Sequence, residues 1–303
     1  MTTPRDIAEL VRVSAAFSVP GDVMAGGAGA LGRRTAGLVA ASVCLYWAGM
    51  AANDWADRDL DARERPGRPI PSGRVPARTA LRAALGLSAA GLALAGLAGG
   101  RRALAVAVPL TGAVWCYDMK LKATAFGPAA MAVCRGLDVL LGASAGVGAG
   151  PGRWRRAVVP TLTVAAHTYL VTALSRREVT GSDRLLPAAT LAGTACVAVA
   201  AAGGLGQFST AAGGPGQFST AAGRGRWAQV LAGWYAASYG GAQVRALAAP
   251  EAGNIRAAVG AGITCLPALQ AALIARSAGP RAGAVVAACA PLGQVLARWL
   301  SPT

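Results

Sequence analysis

The chain has 303 residues, 54% hydrophobic and only 14% charged, with 29 Lys and Arg against 13 Asp and Glu and a net charge of +16. A soluble globular domain carries about 25% charged residues, so the composition argues against an ordinary soluble fold and for an all-α membrane protein whose helices meet through Ala and Gly. The positive residues fall between apolar runs, as anchors at a bilayer surface do, and not on one soluble face, so no nucleic-acid partner is expected.

Apolar runs near the ~20 residues that cross a bilayer place helices over 12–31, 35–52, 79–99, 103–117, 125–149, 157–174, 185–203, 227–248, 257–275 and 282–299. The expected architecture is a polytopic bundle of nine or ten transmembrane helices in one domain, 1–303. The first run contains Pro20, Gly21 and Asp22 and is expected to break. No signal peptide is expected, because residues 1–10 hold charges and no short apolar core. Residues 203–222 are a tandem copy, GGLGQFSTAA then GGPGQFSTAA, and 203–226 reads as a flexible loop. Six cysteines stand singly in or beside apolar segments with no C-x-x-C pair, which reads as small hydrophobes. With ten spans and both ends inside, the 58–82 loop carries most of the Lys/Arg bias. That rule puts it, with the Lys120 loop, on the cytoplasmic side of the cell membrane.

The densest chemistry follows the second run. Asn53, Asp54, Asp57, Asp59 and Asp61 put five oxygen donors within nine residues of an acid-poor chain. If the helix continues past residue 52, Asn53, Asp57 and Asp61 share a face at i, i+4, i+8, Asp54 lies beside Asp57, and Asp59 points elsewhere. Hard oxygens so clustered suit Mg²⁺. Arg65, Arg68 and Arg74 then supply forks for phosphate oxygens, in a loop stiffened by Pro66, Pro69 and Pro71. Carboxylates for a metal beside arginines for phosphate imply a diphosphate ester.

The pattern N-D-x-x-D-x-x-x-D followed by R-x-x-R-P-I-P-S-G-R over residues 53–74 resembles the signature of the UbiA superfamily of intramembrane prenyltransferases. The resemblance implies a bundle around a central cavity. It implies Mg²⁺-dependent transfer of a prenyl group from a prenyl diphosphate to an aromatic or other hydrophobic small acceptor. Asp54, Asp57, Asp61 and Lys120 would be catalytic; Asn53 would join the three aspartates as metal ligands. The segment from Tyr117 to Lys122 resembles the family's Tyr…Lys stretch, which assigns Tyr117, Lys120 and Lys122 to the diphosphate; interfacial snorkelling is the other reading of both lysines.

The family's second Asp-rich motif corresponds here to residues 173–183, where Glu178 and Asp183 are the only carboxylates and Arg176 and Arg177 add positive charge. Three readings stand: an arginine replaces a metal charge against the diphosphate; Glu178, helped by Asp183, holds a second Mg²⁺; or activity is altered or lost. The segment resembles a divergent bacterial branch and not the quinone-forming members.

Arg135 and Asp138, at i, i+3 within an apolar helix, either satisfy each other or line the cavity and bind substrate. His167 reads as a satisfied core residue or an acceptor contact. Arg12 and Asp22 could reach the cavity from the first helix. The competing functions are a catalytically weak or inactive prenyl-diphosphate binder acting as scaffold or carrier, and a transporter; no inverted repeat supports the latter.

Overall fold

A computed structural model describes residues 2–13, 18–30, 32–145, 152–204 and 215–288, with the side chains of 153 and 215–222 left aside. Every regular element among them is helical. α1 (Pro4–Leu10) lies ahead of the first expected run, of which α2 (Val19–Gly26) is the described helix; Pro20, Gly21 and Asp22, where a break is expected, stand in the first turn of α2 and do not interrupt it. Then come α3 (Arg33–Ala56) and α4 (Arg58–Glu64).

A single helical stretch, α5 (Ala77–Cys116), replaces two expected helices, yet it is two helices in space. Gly100 has φ 65° and ψ −154°, which only glycine adopts readily. The chain reverses there: Trp115 Nε1 donates to Ser88 Oγ at 3.1 Å, across 27 residues that a straight helix would hold about 40 Å apart. The arms therefore match the expected helices 79–99 and 103–117.

A π-helical turn over Tyr117–Leu121 follows, then α6 (Gly127–Ala143), α7 (Gly152–Ser175) and α8 (Leu185–Ala202). α9 (Pro215–Tyr235) begins ahead of the helix expected from residue 227. Pro215, whose fixed φ suits a first helical position, opens it within the second decapeptide copy, so 215–226 are helical where a flexible loop is expected. Residues 205–214 lie outside the described residues, as do 146–149 and 289–299 of two expected helices. A second π turn (Ala236–Gly240), α10 (Gly241–Ala248), α11 (Ala252–Ala278) and helical residues 280–288 complete the described chain.

Among the described residues, five helical stretches are long and apolar enough to cross a membrane: 33–56, 77–121, 154–175, 185–202 and 252–278. Since the second folds back on itself, five is not a count of crossings, and the expected nine or ten is not established. Leu97, Leu162, Val199 and Ile263 are exposed on these helices, as lipid-facing side chains are. The buried residues form one core among α7 to α11 and another among α2, α3, α5 and α6. Short α2 joins them by close approach to α6: a Cβ on Gly26 would overlap the Val139 carbonyl, and one on Gly142 the Val23 carbonyl. Small residues that let backbones touch are the usual device in membrane bundles. A third, smaller cluster packs Leu10 of α1 against Ala51, Ala52, Val75, Ala80 and Ala84.

Candidate active site

The last turn of α3 carries Asn53 and Asp54. Asp57, at φ −87° and ψ 0°, ends α3 and opens α4. Backbone bonds run on across this junction, from Asp57 N to Asn53 O at 2.9 Å and from Asp61 N to Asp57 O at 2.8 Å. The helical register therefore survives, and side chains sort by it into two pairs. Asp54 and Asp61, two turns apart, share Arg68: its Nη1 lies 3.4 Å from Asp54 Oδ1 and 2.6 Å from Asp61 Oδ2. Asp54 also takes Arg12 Nη2 at 2.8 Å. Asn53 and Asp57, one turn apart, face the π turn. There Asn53 Nδ2 donates to Asp118 Oδ1 at 3.1 Å, and Lys122 Nζ pairs with Asp57 Oδ1 at 2.6 Å. Asp59 points away, exposed beside Arg58.

Asp54 and Asp61 are only 5% exposed at their side chains. Enclosing carboxylates is costly without opposite charges and hydrogen bonds, which Arg12 and Arg68 supply. The π turn admits one extra residue, with Lys122 N donating to Tyr117 O at 3.0 Å. It aims Asp118 inward at Asn53 and brings Lys122 to Asp57; such turns recur at functional sites. Lys120 is exposed.

Arg74 uses its five N–H groups on the N-terminal arm and its own loop. Nη1 reaches Asp6 Oδ1 and Glu9 Oε2 at 2.7 Å each, Nη2 reaches Glu9 Oε1 at 3.0 Å and Gly67 O at 2.9 Å, and Nε donates to Ser72 Oγ at 3.2 Å. Bonds from Thr3 and Arg74 lower the Asp6 carboxyl to about 2, and the two acids hold the Arg74 guanidinium above its ordinary value.

The loop after α7 closes over the same end. Arg176 Nη1 donates to Thr124 O at 2.6 Å, behind the π turn. Glu178 is raised by burial, which the charges of Arg256 and Arg65 oppose. Arg256 Nη2 donates to Glu178 O at 3.3 Å, and Ser182 N to Pro250 O at 2.9 Å, pinning this loop to the one before α11. Asp183 Oδ1 accepts from Leu186 N at 3.3 Å and so caps α8. Arg177 and Asp183 line an open groove on the outer side of this loop.

From the charged end a mostly apolar cavity runs between α2, α3, α5 and α6, with Met50, Tyr117 and Asp118 toward one end and Ser42, Arg135 and Asp138 also in its wall. Arg135 does not pair with Asp138. Its Nη2 lies 2.9 Å from Asp22 Oδ2, while Asp138 Oδ1 accepts from Ser42 Oγ. Asp22, fully buried, also accepts from Gln270 Nε2 at 2.7 Å. His167 stands in the other core, where Nδ1 bonds Tyr235 Oη at 2.8 Å and its ring sits edge-on to Tyr235 and Tyr239.

Asp118, Ser42 and Gln270 thus join residues that the sequence singles out, and Arg12, expected within reach of the cavity, meets Asp54. Asp118 had a signal, an acid at the end of an apolar helix beside Tyr117. Gln270, 248 residues from Asp22, had none.

The donor set suits Mg²⁺ in kind, being hard oxygen. Among the described residues no three of His, Cys, Asp and Glu gather closely enough to hold an ion alone. Mg²⁺ commonly takes one or two carboxylates and completes its shell with water and substrate phosphates. The pairs Asn53/Asp57 and Asp54/Asp61 offer that arrangement, and the cations now on them offer partners for phosphate.

A polytopic helical bundle with a carboxylate-lined charged end over an apolar cavity is the class of protein defined by this geometry. The chain belongs to the UbiA prenyltransferase family, whose model matches residues 14–179. It is 38% identical over 137 residues to digeranylgeranylglyceryl phosphate synthase of Methanopyrus kandleri, covering 45% of this chain and 49% of that one. It is 37% identical over 115 residues to the 33 kDa chain of bacteriochlorophyll synthase of Cereibacter sphaeroides, covering 36% and 37%. The chain thus spans half or less of the length of these curated relatives. Two solved structures share the fold at a TM-score of 0.64. One concerns digeranylgeranylglyceryl phosphate synthase in membranes, at 16% identity over 90% of this chain and 97% of that one. The other is a UbiA homologue from Aeropyrum pernix K1, at 18% identity over 86% and 96%.

Proposed function

We propose that the chain transfers a prenyl group from a prenyl diphosphate to an aromatic or other small hydrophobic acceptor within the membrane. The observation that carries this reading is an apolar cavity whose wall includes Asp118 and Met50, the partners of Asn53 and Arg12 at a charged end that also holds Asp54, Asp57, Asp61, Arg68 and Lys122. The diphosphate lies at that end and the prenyl chain along the apolar wall. Asn53, Asp54, Asp57 and Asp61 would hold Mg²⁺, which when bound neutralises charge on the leaving pyrophosphate.

Arg68, Lys122 and Lys120 bind phosphate oxygens, with Arg65 and Arg176 from the two facing loops. Tyr117 and Arg135 orient the substrate from the cavity wall, with Asp138 beside them. The C1–O bond breaks, pyrophosphate keeps the electron pair, and the acceptor attacks the allylic carbon and loses a proton. The apolar wall shields the cationic carbon from water. Nine or ten spans, with the charged end on the cytoplasmic side of the cell membrane, agree with the Lys/Arg distribution.

Replacing Asp57 or Asp54 by Ala is expected to lower pyrophosphate release from geranyl, farnesyl or geranylgeranyl diphosphate at least a hundredfold, on the order seen when a charge-stabilising group is lost. Helicity should be retained. Full activity in either variant would remove the assignment. One observation favours a second reading, an inactive diphosphate binder: Asp183 is engaged as the cap of α8, which leaves the second motif with Glu178 and the arginines. Tight binding of the wild type without pyrophosphate release would mark that case.

A further inference from the structure

The N-terminal arm, residues 2–13, lies ahead of the segment that matches the family, which begins at 14. It is nevertheless built into the charged end. Leu10 is fully buried in the small core with Ala51, Ala52 and Val75. Asp6 and Glu9 hold three of the five Arg74 hydrogen bonds, and Thr2 Oγ1 donates to Arg74 O at 3.1 Å. Two residues beyond α1, Arg12 has φ 50°, a left-handed backbone that a non-glycine residue adopts only when its surroundings impose it. That bend sends its guanidinium to Asp54 and to Met50 Sδ, 3.4 Å away, so Arg12 spans the charged end and the cavity wall.

We propose that Arg74 is a positioning residue that clamps the arm through Asp6 and Glu9, and that the clamped arm places Arg12 where it binds the substrate's diphosphate. This rests on the functional reading above. Arg74 lies in the Pro-framed loop with Arg65 and Arg68, yet its donors are turned from the cavity toward α1. The side chain that faces Asp54 beside Arg68 is Arg12, 37% exposed. A guanidinium fork of this kind matches two phosphate oxygens at once. Asp54 would pass from Arg12 to the metal as the diphosphate arrives, leaving the carboxylate neutralised throughout.

The test is calorimetric binding of geranylgeranyl diphosphate with Mg²⁺ to the purified full chain, comparing wild type, Arg12→Ala, Arg74→Ala and the double variant. Each single change is expected to raise Kd about tenfold, the loss of one charge-assisted contact. The double variant should be no weaker than Arg12→Ala, because Arg74 acts only through Arg12. Asp6→Asn with Glu9→Gln, which frees the arm and keeps Arg74, should reproduce the Arg74→Ala value; this pair serves if Arg74→Ala fails to fold. Multiplying effects, about a hundredfold in the double variant, would overturn the proposal, as would a lower melting temperature at unchanged Kd in the variants that free the arm. A wild type that binds no diphosphate defeats the functional reading itself, and this inference with it.

Discussion

Asp22 is wholly enclosed by protein, on a short helix between the two cores, and Arg135 is the cation that balances it. Removing one partner of a buried pair leaves an uncompensated charge and costs about 3–5 kcal/mol. Arg135→Ala is therefore expected to destabilise by that amount in thermal unfolding of the detergent-solubilised chain. Adding Asp22→Asn should recover most of the loss, and an unchanged melting temperature for Arg135→Ala alone would refute the pairing. At this scale the sequence is legible where partners lie on one element. Asn53 with Asp57 follows from helical spacing, and so does the outward Asp59; Asp61, expected on the face of Asn53 and Asp57, instead joins Asp54 because Arg68 bridges the two. Partners from distant segments leave no spacing signal. Arg135 meets Asp22, not Asp138, because Gly26 and Gly142 let α2 touch α6. Asp54 meets Arg12 because α1 folds over the loop. His167 is a satisfied core residue, bonded to Tyr235 inside an aromatic cluster.

Elements were legible where composition punctuates them. Gly99 and Gly100 separate two expected helices, and the reversal falls at Gly100. A Cβ there meets no atom within 4 Å, so the strain of an Ala lies in the backbone alone, about 1–3 kcal/mol for a residue forced into such φ/ψ. Gly100→Ala should lower the melting temperature accordingly. Gly112→Ala, also in open space but within a helix, should be neutral or slightly stabilising. Equal effects from the two would contradict the hairpin. The π turns had no such punctuation: a single extra residue per turn changes no hydrophobic pattern, so the inward aim of Asp118 and Lys122 was invisible. The helical start at Pro215 was masked by the Gly, Pro and Ser content of the repeat.

Across the whole molecule, four connections meet at one end: the loop after α4, the π turn, the loop after α7 and the one before α11. Their contacts are Arg68 with Asp61, Lys122 with Asp57, Arg176 with Thr124, and Arg256 with Glu178. The Lys/Arg bias groups these same connections on one face, since topology forces alternate loops together. It carries no information on which carboxylates converge, and the charged end holds paired acids with their cations in place of one four-membered cluster. Handling of a metal-bound diphosphate at this end is tested directly by phosphorus NMR of geranylgeranyl diphosphate mixed with the purified full chain and its membrane lipids. Inorganic pyrophosphate should appear with Mg²⁺, stop on chelation with EDTA and resume on adding Mg²⁺ back. Release at the same rate in EDTA, or release retained by Asp57→Ala with Mg²⁺ present, would contradict it.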